Sequence, residues 1–414
     1  MKQKILALVA FAIVGLSATA VPVTYSSTPV QSAAKPAALP PIFTIPFELA
    51  NRHVVLKVQI NNSRPLSFVL DTGDKFAIVD LERARELGLK LEGQVRMRGA
   101  GSEMPTGFFV RDSSFSIPGF AGFSQPVNMA LPIGKLASRL GQDFDGIIGH
   151  DFIKNFVVEL DYQTRLIKLY DKDKFSYAGP GESIPVHITP AGHPIVDAEV
   201  TPLGESPLKG KFVVDIGSGM ALALYTPFVI ERKLLGPNLK TIKSLGAGGA
   251  GGAVSGQIGR VAALKLGKFT ISKPITFFSE DKSGAFADRD LLGNIGTQIM
   301  NRFRVLLDYS RDRIILEPNS NFDNPFDRAF SGLSVQADGK DYRVFRIVAV
   351  LESSPGSETG LQKDDVITAV DGRPASELTL TTLNELFERP VAYALTVRRG
   401  EQTLQVKLTP RRLV

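Results

Sequence analysis

A hydrophobic run that breaks into an acidic, glycine-bearing turn occurs twice in this chain, and nothing else restricts its fold so strongly. The first copy is Phe68-Val69-Leu70-Asp71-Thr72-Gly73, the second Phe212-Val213-Val214-Asp215-Ile216-Gly217-Ser218-Gly219. Both runs carry the β-branched and aromatic residues that suit strands. In each, glycine follows the carboxylate within two residues and permits the tight turn a protruding Asp needs. A single strand-Asp-turn is common in β proteins. Two at equivalent places in a repeat are a different matter, because folding about an approximate two-fold axis can bring them face to face.

The repeat extends well beyond the turns. At an offset of 147, Gly149, Phe156, Val158, Leu160, Asp161 and Tyr162 coincide with Gly296, Phe303, Val305, Leu307, Asp308 and Tyr309. Upstream, Ile45-Pro46-Phe47 and Ile184-Pro185-Val186 open strands ahead of each acidic turn. Asp80 is positioned to cap a short helix through Leu87, stopped by Gly88; Thr226, Pro227 and Gly236 offer cap, first position and stop for its counterpart. The middle of the chain therefore reads as two β-rich units of one design, 41–178 and 179–320, each within ordinary domain size.

Hydrophobic strand plus Asp-Thr-Gly (Asp-Ile-Gly in the second unit), a glycine-rich stretch downstream, and an apolar strand ending in Gly form an ordered trio in each unit. The third member is Asp145-Gly146-Ile147-Ile148-Gly149 in one and Leu292-Gly293-Asn294-Ile295-Gly296 in the other. Over about residues 42–318 this resembles the pepsin-like and retropepsin-like aspartic proteases. The resemblance implies a mainly β fold with two duplicated, closed-barrel lobes, and a catalytic pair made of Asp71 and Asp215. It also implies supporting turn residues Thr72, Gly73, Gly217 and Ser218. Flaps would come from the glycine-rich stretches, with Gly99 and Gly101 in one and Gly248 and Gly249 in the other. Paired carboxylates a few ångströms apart share one proton and activate water between them, with no metal, nucleophilic side chain or cofactor. The sequence departs from the family twice. Ile216 replaces a Thr that would help lock the two turns, and Asp74 stands where a small residue is usual. A third carboxylate beside the pair pushes its pKa values upward. These departures leave a second reading open, a peptide-binding pseudo-protease.

Residues 328–414 contain Ser354-Pro355-Gly356-Ser357-Glu358-Thr359-Gly360-Leu361, then Asp365 to Gly372, a helix over Leu380 to Glu388, and two strands joined at Arg399-Gly400-Glu401. This segment resembles a bacterial-type PDZ domain, an α+β module. The resemblance implies capture of peptide tails as an added strand, with Ser331, Gly332 and Leu333 as the holding loop.

Residues 1–20 read as an export signal: Lys2 and Lys4, an apolar core from Ile5 to Leu16, and Ala18-Thr19-Ala20 for cleavage. Residues 21–40 are a Ser/Thr/Pro/Ala linker. A periplasmic or secreted location is expected, or an N-terminal membrane anchor if the leader stays; after cleavage no membrane span remains. Cysteine is absent, which excludes disulfides, thiolate nucleophiles and Cys-held metal. A net charge of +6 spread over 414 residues does not mark nucleic-acid binding. His187 and His193 with Asp197 read as surface or half-buried side chains rather than zinc ligands. Polypeptides are the expected partners, and a monomer carries a complete site.

Overall fold

The computed structural model describes residues 39–245 and 248–414. The expected leader, most of the linker, and Gly246-Ala247 lie outside them. Among the described residues, no helix is long and apolar enough to cross a membrane.

Among the described residues the chain is mainly β. In the first sheet the strand Leu66–Leu70 lies at the centre. It pairs antiparallel with His53–Ile60 and parallel with Gly146–Ile148, which in turn pairs antiparallel with Ile78–Asp80. A second sheet places Leu208–Asp215 between Pro194–Thr201 and Gly293–Gly296, with Leu222–Leu224 beyond. The strand order of the two sheets corresponds from one end to the other. Leu56, Phe68, Leu70, Phe212, Val214 and Ile216 are buried in one continuous core, so the alternate apolar side chains hold both central strands down while the acidic turns emerge at their ends.

A six-stranded sheet joins the halves. Its order is Phe43–Pro46, Leu166–Asp171, Phe156–Asp161, Phe303–Asp308, Arg313–Pro318 and Glu182–Pro185, three strands from each half in mirrored order. The central pair meets antiparallel, with Val158 opposite Leu307 and Leu160 opposite Val305. Ile45-Pro46 and Ile184-Pro185 thus lie in strands ahead of the acidic turns, as expected, but end those strands rather than open them. Proline suits these outer positions, where a missing N–H is tolerated.

The helix capped by Asp80 runs Leu81–Glu86; Asp80 accepts from the N–H groups of Glu82 and Arg83, and Gly88 follows with a φ of 63°. Its counterpart differs from expectation. It runs Thr226–Glu231 with Tyr225 at the N-cap, because the Thr226 hydroxyl donates to Ser279 instead of capping, and it ends at Arg232 before Gly236 is reached.

The C-terminal residues build a sheet in the order Leu333–Asp338, Val344–Val350, Val366–Val370, Tyr393–Arg399, Gln402–Leu408. The helix Leu380–Phe387 covers it, burying Leu380, Leu383 and Phe387 against Phe345, Ile367, Leu395 and Val397. The other face of this helix grips the first sheet. Thr381 accepts the Asn51 N–H at 2.8 Å, Asn384 donates to the Asn51 side chain at 3.1 Å, and Glu388 pairs with Arg52 and Arg328. Asn51 and Arg52 form the left-handed turn of the hairpin between Glu48–Ala50 and His53–Ile60.

Candidate active site

The two acidic turns meet. A point at the Cβ position of Gly73 lies 3.1 Å from Oδ1 of both Asp71 and Asp215, so the two carboxyls face one shared space. Gly217 is required by space alone, because a Cβ there would fall 2.1 Å from the Asp71 carboxyl carbon. Local pairing sets the positions: the Asp71 N–H donates to the Ile148 carbonyl at 2.9 Å, and Asp215 lies in register with Gly296. The Gly73 N–H donates to Asp71 Oδ1 at 2.7 Å.

Thr72 ties the turns together. Its buried hydroxyl donates to the Val214 carbonyl at 2.6 Å and accepts the Ile216 N–H at 2.9 Å. Ile216 has no hydroxyl to return the tie. It packs into the core instead, and the Thr297 hydroxyl takes its carbonyl at 2.7 Å. The link across the pair is therefore one-sided.

Burial, then repulsion from Asp215 and Asp74, holds the Asp71 carboxyl well above the usual carboxylate range. Burial raises Asp215 as well, but hydrogen bonds oppose it, led by one from Asn294. Asn294 Nδ2 donates to Asp215 Oδ2 at 2.7 Å, while Asp215 Oδ1 is buried without a hydrogen-bond partner among the described residues. Burial thus raises both carboxyls, and the Asn294 amide donates to Asp215 alone. Asp74, its own carboxyl raised by burial, accepts the Phe76 N–H at 3.0 Å.

Asn294 was not singled out from the sequence. The signal was present, since the offset of 147 sets this amide against Ile147 in a register that is otherwise apolar. Ser218 directs its hydroxyl to the Met220 N–H, at 3.4 Å. The glycine-rich stretches meet each other: the Gly251 N–H donates to the Ala100 carbonyl at 2.9 Å and the Glu103 N–H to the Gly251 carbonyl at 2.8 Å. Gly101 adopts a φ of 105° there, and a Cβ on it would strike the Gly251 carbonyl oxygen at 2.1 Å. Gly248 and Gly249 pair with Gly252 and Ala253 in a short hairpin. Each tip crosses over, Ala100 packing on the apolar cluster that includes Tyr225 and Phe277 in the second half and Ala250 on the one that includes Val69 and Ile147 in the first. In the C-terminal unit, the Leu333 N–H donates to the Ser331 hydroxyl at 3.2 Å, and Gly332 has a φ of 76°.

Residues 56–152 match the aspartyl protease family model. The aspartyl protease match takes in Asp71, Thr72 and Gly73 and ends at Phe152, short of Asp215. Among solved structures, the chain is similar to an aspartic proteinase from Irpex lacteus at 11% identity and a TM-score of 0.42, over 68% of this chain and 98% of that one. It is also similar to a photosystem II D1 C-terminal processing protease at 20% identity and a TM-score of 0.20, over 22% of this chain and 24% of that one. No curated protein matches the chain.

Proposed function

We propose that this protein is an aspartic-type endopeptidase that hydrolyses peptide bonds with water activated between Asp71 and Asp215. The observation that carries the reading is that two half-buried carboxyls face one shared space, one of them held by Asn294 at Oδ2 while its Oδ1 is buried without a partner among the described residues. Ionised Asp215 takes a proton from the water as its oxygen attacks the peptide carbonyl carbon. Protonated Asp71 gives its proton to the carbonyl oxygen, forming a gem-diol. As the C–N bond breaks, Asp215 returns a proton to the leaving nitrogen and Asp71 recovers one from a diol hydroxyl. Both acids end as they began. The two meeting glycine-rich tips act as flaps that part for a chain to enter and close to exclude water. The C-terminal unit acts as a PDZ-type module for peptide segments, and the leader-like residues 1–20 support action outside the cytoplasm by a monomer.

A second reading, a peptide-binding protein with impaired catalysis, is favoured by the one-sided Thr72 tie and by Asp74. Incubating the purified chain with an unfolded protein from acid to neutral pH separates the two. Cleavage that disappears in Asp215→Asn supports the peptidase; peptide binding without cleavage at any pH leaves the second reading.

The pH profile gives a finer test. Activity needs one proton on the pair, so it falls in acid as Asp215 is protonated and at higher pH as Asp71 loses its proton. Asn294→Leu removes the donor that lowers Asp215. Its acid limb is expected to move to higher pH while the alkaline limb moves less, measured as kcat/KM against pH. An unmoved acid limb would remove Asn294 from the site.

A further inference from the structure

A cavity of about 340 Å³ adjoins the acidic turn of the second half, lined there by Gly219 and Met220 and on its other side by Leu333 and Phe387 of the C-terminal unit. Four cationic side chains line it, Arg52, Arg139, Lys243 and Arg328, against one acidic side chain, Glu388. Arg52 and Arg328 share that single carboxylate. The half-buried Arg139 guanidinium makes no ion pair among the described residues, and its Nη1 is buried without a hydrogen-bond partner there. Leaving a partly desolvated guanidinium unpaired is costly, and structures normally avoid it.

The placement of Arg139 is also built. It sits on the helix Ala137–Leu140, whose Ala137 and Leu140 are buried. Its carbonyl accepts from Asn51 Nδ2 at 2.8 Å, and Asn51 is itself held by Thr381 and Asn384. Nη1 lies 2.4 Å from where a Cβ of Gly248 would stand, so the guanidinium is laid against the second glycine-rich stretch.

We infer that Arg139 is a specificity residue: it receives a carboxylate of a bound peptide, within a cationic cavity continuous with the acidic turn. A carboxylate matches the planar fork of Arg with two parallel hydrogen bonds, and it offsets the excess positive charge of the cavity. The carboxylate comes from an Asp or Glu side chain or from the chain's C-terminus. This inference rests on the peptide-cleft reading above, and its test does not depend on turnover.

The test uses the full chain carrying Asp71→Asn and Asp215→Asn, and fluorescence anisotropy with labelled peptides. One peptide has internal Glu residues and an amidated end, a second has Gln in their place with the same end, and a third has those Gln residues with a free C-terminal carboxylate. The Glu or free-carboxylate peptide is expected to bind at least about 10-fold tighter than the amidated Gln peptide, as loss of one charge-assisted pair implies. Which of the two gains identifies the source of the carboxylate. Arg139→Gln is expected to erase that gain, Arg139→Lys to retain part of it, and Arg139→Glu to reverse it toward a Lys-containing peptide, each with an unchanged melting temperature. Equal binding of all peptides, no binding of any, or a preference that survives Arg139→Gln overturns the inference. The outcomes stay separable from the peptidase reading. Wild-type cleavage without acidic preference sinks the subsite alone, whereas acidic binding with no cleavage by the wild type sinks only the hydrolysis.

Discussion

Replacing Asp71 by Asn is expected to lower peptide cleavage by roughly 10²–10⁴-fold for each proton transfer lost, and at the same time to raise the melting temperature near neutral pH. Asn preserves the acceptor for the Gly73 N–H, at 2.7 Å in the parent, so the turn itself persists. What disappears is the acid that protonates the carbonyl oxygen. The stability gain follows from linkage. Burial and the neighbouring carboxylates raise the folded pKa of Asp71 above its unfolded value. Across the window from the ordinary carboxylate pKa up to the raised one, the folded chain binds more protons than the unfolded chain, so stability falls as pH rises through it. Above that window the penalty is complete; below it there is none. The variant should therefore melt higher than the parent near neutral pH and at the same temperature in acid below the window. Scanning calorimetry across pH alongside a peptide-cleavage assay checks both halves. Full activity in the variant would show that chemistry lies elsewhere.

The second large effect is on the tie between the turns. Thr72→Val keeps the shape of the side chain but deprives the Ile216 N–H and the Val214 carbonyl of their partner in a fully buried place. With each orphaned buried group costing about 1–3 kcal/mol, a total loss of about 2–6 kcal/mol is expected. Thr72→Ser, which retains both hydrogen bonds and gives up one methyl, should lose far less. Urea denaturation of the three proteins measures the difference. Because the second turn offers no returning hydroxyl, nothing else in this pair of turns compensates.

The sequence disclosed the paired turns because they are repeated, and repetition is visible without coordinates. Strand-forming residues before Asp71 and Asp215, and the matching Gly149 and Gly296, place those carboxylates at equivalent strand ends. Features that break the repeat were harder to read. Asn294 occupies an apolar register, so matching the copies by their shared residues passed over the amide that donates to Asp215 alone. Thr226 looked like a helix cap, yet Ser279 on a strand far along the chain competes for its hydroxyl. The Ile-Pro segments marked strands ahead of the turns, while the role of those strands as the outer ones of the joining sheet depends on partners more than a hundred residues away. Arg139 carries no local mark at all. Its meaning comes from what three separate segments place around it.

The grip of the helix Leu380–Phe387 on the Asn51-Arg52 turn makes the final segment more than cargo. His53, next to that turn, lies against Gly219, within 3.0 Å of where its Cβ would be. Cutting away 328–414 would strip the turn of its acceptor for the Asn51 N–H and of the carboxylate that neutralises Arg52, and so unbrace a hairpin leaning on the second acidic loop. A shortened chain is thus a differently tuned molecule, and whatever it does or fails to do in a test tube speaks for the amputated form, not for the parent.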